Sequence, residues 1–261
     1  MGCHWSNRWC GRANLLMDDL FNQHGRAALL FSAGKDSLAT LLLLKPYWPQ
    51  IEVVWANPGA PYQETLDYMK GIERLVPNFT QLDGDQPEWI TEHGWPVDVV
   101  PAKQTTVGEM GAGPAEIKFQ PYFTCCSNNM WLPIERHIKA SQHTLVITGQ
   151  RKQETMRNRA RDQVIQSIDG VDYFQPLNDW SQRKVFQFIA SQGFDLPPGY
   201  SNGEASSSDC WNCTAYLNHN QIRLQNMKLN DGKRWDVISP IFIHAQNAID
   251  KHSQLLNQLL K

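Results

Sequence analysis

Cysteine placement is the first chemical signal in this sequence. Cys125 and Cys126 are adjacent, and Cys210-Trp211-Asn212-Cys213 forms a Cys-x-x-Cys pair far downstream. A Cys-x-x-Cys alone is ambiguous among zinc, iron–sulfur and redox-dithiol chemistry. Tandem thiolates suit a compact cluster of several metal atoms better than one tetrahedral zinc, and four-thiolate ligation is the standard iron–sulfur arrangement. The competing reading is four buried free thiols that pack as small hydrophobes. The chain has 6 cysteines and no apolar signal region at its N-terminus, which favours metal or redox chemistry over disulfides. Cys3, His4 and Cys10 are left over and read as incidental residues of an N-terminal arm, the alternatives being partial ligands or reactive thiols.

A second group of residues suits phosphate. Ser32-Ala33-Gly34-Lys35-Asp36-Ser37 lies between a buried apolar run and a helical one. Small residues let backbone N–H groups approach phosphate oxygens, and the helix N-terminus adds a favourable dipole. Two hydroxyls and an ammonium converge there. An ordinary strand–helix turn of small residues is the bland alternative. Ala33 is tolerable in so tight a turn only if its φ is negative. Arg151, Lys152, Arg157, Arg159 and Arg161 form a basic segment whose one acid is Glu154. Arginine's planar fork grips phosphate or sulfate in a bidentate manner. A solvated helix face is the alternative.

Elements of alternating type must position these groups. Ala27–Phe31 reads as a strand buried on both faces, Leu38–Leu44 as a buried helix stopped near Pro46, and Ile51–Ala56 as a second strand. Residues 62–75 give an amphipathic helix, and Thr144–Gly149 another buried strand. This order predicts an α/β fold with a doubly wound, mostly parallel sheet. Residues 101–124, rich in glycine and proline, read as a long loop over the sheet edge. Three parts follow: an irregular arm over 1–14, a nucleotide-binding core over 15–195, and an irregular cysteine loop with terminal helices over 196–261. A final surface helix is predicted at 245–260.

Composition narrows the classes. A net charge of −2 supplies no global field for nucleic acid, so any such contact must use a local patch. No apolar run reaches the roughly 18 residues that suggest a membrane span. The cytoplasm is the expected compartment, with no membrane partner.

Four ordered segments carry a family resemblance. The hexapeptide 32–37 resembles the PP-loop, Ser-Gly-Gly-x-Asp-Ser, of ATP pyrophosphatases, and lacks the spacing of a Walker A loop. Asn57-Pro58-Gly59, followed by Glu64-Thr65, is similar to the turn and Glu-Thr pair after the family's second strand. Gly149-Gln150-Arg151 through Glu154, Arg157, Arg159 and Ala160 resembles a Gly-x-Arg-x-x-Glu stretch ending in Arg-Ala, with one residue more before Arg159. Pro176-Leu177-Asn178-Asp179-Trp180-Ser181 is similar to a Pro-Leu-x-Asp-Trp element that opens a helix. Together they resemble the phosphoadenosine-phosphosulfate reductase family of the PP-loop, adenine nucleotide alpha-hydrolase-like superfamily. The paired cysteines, with Thr214 after Cys213, are very similar to those of iron–sulfur adenylyl-sulfate reductases.

This resemblance implies an adenine-nucleotide pocket of Ser32, Ala33, Gly34, Lys35, Asp36, Ser37, Asn57, Gly59, Glu64, Gly149, Arg151, Glu154 and Arg159. Lys35, Asp36, Arg151 and Arg157 would act in catalysis, on ATP or adenylyl sulfate, with Mg²⁺ bridging phosphates. It further implies a 4Fe–4S cluster on Cys125, Cys126, Cys210 and Cys213, with zinc as runner-up. Reductases of the family attack sulfate with a cysteine in a Glu-Cys-Gly-type tail, and no cysteine follows Cys213 here. Lys35-Asp36 matches members that bind ATP and release pyrophosphate, the DNA-phosphorothioation ATPase above all. The expected function is therefore adenylylation of an acceptor (nucleic acid, protein or small molecule) for sulfur transfer. Such chemistry needs a sulfur donor, and the basic segment 151–161 would meet a macromolecular acceptor. A reductase drawing on an outside thiol, and a non-catalytic nucleotide sensor or adaptor, are the alternatives.

Overall fold

A computed structural model of the protein describes residues 7–98, 117–153, 164–200, 203–204 and 210–261, with residues 7–14 as backbone alone. The described chain divides into two compact units. The first comprises Met1–Trp55, Asp67–Leu82 and Glu135–Pro197, and the second Ala56–Leu66, Asp83–Ile134 and Pro198–Lys261.

The first unit is built on a six-stranded sheet. Its strands are β1 (Ala27–Leu30), β2 (Ile51–Asn57), β3 (Phe79–Asp83), β6 (Leu145–Ile147), β7 (Ile165–Ile168) and β8 (Val171–Phe174), while β4 (Trp95–Val97) and β5 (Phe119–Pro121) lie elsewhere. The spatial order is β3-β2-β1-β6-β8-β7. β1 pairs in parallel with β2 and β6, and β6 with β8. β7 returns antiparallel to β8 at the edge. This is the mostly parallel α/β sheet expected, with β1 at its centre. Ala27, Ala28 and Leu29 are fully buried, as are Leu145 and Ile147, which explains their unbroken apolar runs.

Helices flank the sheet. α1 (Asn7–His24) begins within the segment predicted to be irregular, so that expectation is corrected from Asn7 onward. α2 (Lys35–Leu43) buries Lys35, Ser37, Leu38, Ala39, Thr40, Leu41 and Leu42. It starts three residues before the predicted boundary because the phosphate-loop residues themselves form its first turn. α3 (Gln63–Leu75) follows β2, with Met69 and Ile72 buried. α4 (Gln86–His93), α5 (Tyr122–Cys126) and α6 (Leu132–Ala140) come next in the chain. α7 (Gln182–Ser191) packs on α2, and the Ser181 side chain caps it by accepting from the Lys184 N–H at 3.2 Å.

In the second unit β4 and β5 pair in parallel, Trp95 opposite Phe119. The segment predicted as one loop over 101–124 therefore ends in a strand and the start of a helix, while residues 99–116 lie outside the described residues. Two helices complete the unit, α8 (Leu217–Asn230) and α9 (Gly232–Leu259). Val97, Phe119 and Ile241 form one core, and Leu224, Met227 and Ile238 another. α9 is much longer than the helix predicted at 245–260. It starts behind an Asp231 cap and runs through Pro240, where Gly232 and Pro240 are residue types that normally bound a helix. Among the described residues no helix is long and apolar enough to cross a membrane.

Candidate nucleotide and cysteine sites

The order of the first sheet reverses direction between β1 and β6. Open α/β sheets bind ligands at such a switch point, outside the carboxyl ends of the strands. The loops that leave these two strands are 31–34 and 148–153, the two segments singled out from the sequence.

Their junction is tight. A Cβ on Gly149 would lie 2.7 Å from the carbonyl carbon of Asp36 and 2.8 Å from the amide nitrogen of Ser37. Glycine is required there by close backbone approach rather than by conformation. Ser37 Oγ accepts from the Gly34 N–H at 3.1 Å and donates to the Gly34 carbonyl at 2.9 Å, which fixes the turn into α2. Ser32 Oγ donates to Ser37 Oγ at 3.4 Å. The first amides of a helix have no intrahelical acceptor, so the α2 N-terminus presents donors where this loop ends.

Ala33 departs from expectation. Its φ is 54°, in the left-handed region, not negative as its side chain requires for comfort. The loop keeps the conformation a glycine would adopt, and Ala33 carries the strain while 5% exposed.

Asp36 organises the charges. Its Oδ2 accepts from Lys35 Nζ at 2.7 Å and its Oδ1 from Arg151 Nε at 2.7 Å. The two basic side chains are only 5% and 3% exposed. Arg151 also donates to the Trp180 carbonyl at 3.3 Å, and the Lys152 N–H to the Asn178 carbonyl at 3.0 Å. The Pro176–Trp180 segment thus aims Arg151. The sequence pattern places both segments near the pocket but does not show that one orients the other.

The remaining nucleotide-site candidates have other partners. Asn57 and Glu64 lie on β2 and the first turn of α3, and Glu64 is exposed. Asn57 Oδ1 accepts from the Gly59 N–H at 3.0 Å, and its Nδ2 donates to Asp83 Oδ1 at 3.1 Å. Gly59, at φ 103°, has no room for a Cβ, which would lie 2.8 Å from the Gly84 carbonyl oxygen. Glu154, Arg157, Arg159 and most of the basic segment lie outside the described residues, as does Cys3.

All four paired cysteines fall in the second unit, and none of them is in a disulfide. Cys125 and Cys126 end α5, directly before a π-helical turn over Ser127–Trp131. Such turns are rare and concentrate at functional sites. In the other segment the Cys213 N–H donates to the Cys210 carbonyl at 3.3 Å, closing the Cys-x-x-Cys turn. Burial first, then the charge of nearby Cys213, push the Cys125 thiol up to about 12. Asn129 Nδ2 donates to the Cys125 carbonyl at 3.0 Å and approaches its Sγ at 4.0 Å.

Two supporting residues are not apparent from the motifs. Asn129 accepts from the Asp85 N–H at 3.1 Å, and a Cβ on Gly84 would lie 2.4 Å from the Asn129 carbonyl oxygen. Its spacing of four from Cys125 on a helix was the available signal. Arg223, 4% exposed, donates to the carbonyls of Trp211 and Cys213, each at 2.8 Å. Nothing local in the sequence marks it. An amide N–H aimed at the Cys125 sulfur and a buried guanidinium holding the Cys-x-x-Cys loop are compatible with a thiolate-ligated metal group.

The model of the phosphoadenosine phosphosulfate reductase domain matches residues 26–216, from the start of β1 to just past Cys213. The chain belongs to this family. A phosphoadenosine 5'-phosphosulfate reductase of Photorhabdus laumondii is 26% identical over 192 residues, spanning 73% of this chain and 71% of that protein. One of Erwinia tasmaniensis is 24% identical over 192 residues, spanning 73% and 72%. The crystal structure of phosphoadenylyl-sulfate reductase from Candida auris, a phosphate complex, superposes with a TM-score of 0.54 at 14% identity. It covers 76% of this chain and 87% of its own, which shows a shared fold. The family match spans both the phosphate loop and the cysteines of this reductase-family protein.

Proposed function

We propose that this protein is an ATP-dependent adenylylating enzyme of sulfur transfer that carries a 4Fe–4S cluster. The observation that carries this reading is the pair of buried cations, Lys35 and Arg151, held on Asp36 at the N-terminus of α2 and at the switch point of the sheet. ATP lies with its β,γ-phosphates against residues 32–37. Lys35 and Arg151 neutralise phosphate charge, Asp36 positions both, and Arg157 and Arg159 extend the grip. An acceptor oxygen attacks the α-phosphorus, its proton passes to solvent, and the bond to pyrophosphate breaks. A nucleophilic, sulfide-level sulfur from a donor then attacks the adenylylated acceptor, and the bond to the adenylyl oxygen breaks to release AMP. Positioning and charge neutralisation supply most of the rate.

Mg²⁺ accompanies the nucleotide. When bound, the ion would neutralise phosphate charge alongside Lys35 and Arg151. Cys125, Cys126, Cys210 and Cys213 would hold the cluster, with zinc the runner-up. When bound, the cluster supplies thiolate-ligated iron, a soft site for sulfide. The basic segment 151–161 receives the acceptor, nucleic acid or protein.

A reductase reading is favoured by the names of the curated relatives. It needs a thiol from outside the stretch Thr214–Lys261, which holds no cysteine. Anaerobically purified protein separates the readings. Pyrophosphate release from ATP, with calorimetric binding of ATP, is expected. Sulfite formed from adenylyl sulfate and thioredoxin, with ATP binding undetectable, overturns the proposal and restores the reductase.

A further inference from the structure

A second polar cluster lies at the opposite end of the first sheet from the phosphate loop. Glu52 is the second residue of β2, where it pairs with Ala28. His143 stands just before β6, and His137 lies on α6. Parallel pairing places Glu52 and His143 at the amino ends of their strands. Ser32, four residues beyond Ala28, is roughly 13 Å away along the strand.

The three side chains converge on one point. His137 Nε2 is 3.0 Å from Glu52 Oε1, and His143 Nε2 is 2.5 Å from Glu52 Oε2. One donor atom from each residue falls within 4.8 Å of the others. Thr80 Oγ1 donates to Glu52 Oε1 at 2.5 Å, and Ser141 Oγ is 3.4 Å from His137 Nε2. His143 is 1% exposed, while Glu52 and His137 are 22% and 18% exposed, which leaves an approach from solvent. The far nitrogen of His143, Nδ1, is buried without a hydrogen-bond partner. Only the Nε2 side of that ring therefore meets a polar group.

We propose that Glu52, His137 and His143 form a zinc site distinct from the cysteines. Two imidazole nitrogens and a carboxylate are the donor set that zinc accepts at about 2.0–2.2 Å, with water in the fourth position. Mg²⁺ and Ca²⁺ prefer all-oxygen shells and are excluded by the paired imidazoles. Ligand atoms already 2.5–3.0 Å apart need only open slightly to admit the ion between them. Thr80 orients the carboxylate from outside, as the partners of metal ligands commonly do. The ion ties α6 and the segment before β6 to β2, so its role is to fix the sheet's amino end.

The test uses cobalt in place of zinc on the full chain stripped of metal. Thiolate ligation gives an intense ultraviolet charge-transfer band, whereas a nitrogen–oxygen site gives weak visible bands alone. The wild type should take up one equivalent of cobalt with the nitrogen–oxygen spectrum, and zinc should raise its melting temperature by several degrees. His137→Ala should weaken that binding by more than about a hundredfold, beyond the loss typical of an outer partner. It should abolish the part of the thermal shift that Cys125→Ser retains, while Cys125→Ser should leave binding at this site unchanged. Glu52→Gln gives the same readout should His137→Ala fail to fold. Absence of the nitrogen–oxygen spectrum in the wild type, or binding by His137→Ala and Glu52→Gln equal to that of the wild type, overturns the site and leaves a hydrogen-bonded Glu–His network.

Discussion

At the scale of single residues, the phosphate loop stores two costs that mutation can expose. Asp36 is the shared partner of two buried cations. Asp36→Asn removes the carboxylate that both cations contact, and losing one partner of a buried pair typically costs about 3–5 kcal/mol. Arg151→Met removes one cation and leaves the Lys35–Asp36 pair intact, so it should cost less. Urea unfolding of both variants checks this order, and a larger loss for Arg151→Met would refute it. Ala33 holds a left-handed φ of 54°. That conformation costs an L-residue roughly 1–2 kcal/mol, partly offset by the greater unfolded-state entropy of glycine. Ala33→Gly should therefore raise stability by up to about 1 kcal/mol, seen as a higher melting temperature. A lower one would mean that the buried methyl packs more favourably than the backbone is strained. The hexapeptide is legible from residue types alone, but the sign of this φ is not. A backbone angle follows from how tightly the strand, the loop and α2 are joined.

Between elements, Gly149 sets how closely the loop after β6 approaches the start of α2. A methyl group there would lie 2.7 Å from the Asp36 carbonyl carbon, too close to be accommodated without movement. Gly149→Ala must push the two segments apart, at the roughly 1–3 kcal/mol of an overpacked site. It should also displace Arg151 from Asp36 and weaken nucleotide binding, which calorimetry would detect. Unchanged affinity would argue that nucleotide does not use this junction. The elements that carry it are readable within a few residues. β1, β6 and the stretch 53–56 of β2 announce themselves as unbroken apolar runs because both faces are buried. The β7–β8 hairpin lacks such runs, and its signal is the turn instead: Asp169-Gly170, both at positive φ, is a favoured two-residue hairpin loop. β4 and β5 are not readable, since each has three residues and their pairing spans the undescribed segment 99–116. The Glu52, His137 and His143 cluster is invisible in the sequence for a related reason. Only the strand order brings those residues together.

For the molecule as a whole, the division into two units has a consequence for metal removal. The cysteine segments 122–126 and 210–213 both belong to the second unit, and the phosphate loop to the first. On the proposed cluster, metal bridges two segments, one of which Arg223 braces through its bonds to the Trp211 and Cys213 carbonyls. Binding free energy of a thiolate-held metal is folding free energy for whatever it ties down. Anaerobic chelation should therefore raise amide exchange in 210–214 and α5, while β1, β2 and β6 keep their protection. Iodoacetamide should then modify Cys125 last among the four, because its thiol is 4% exposed and pushed up to about 12. Cys125→Ser should abolish both the iron content and any further effect of chelation on exchange. Loss of protection spread evenly over both units would contradict this partition. So would full retention of iron and sulfide by Cys125→Ser, which would remove that cysteine from the ligand set.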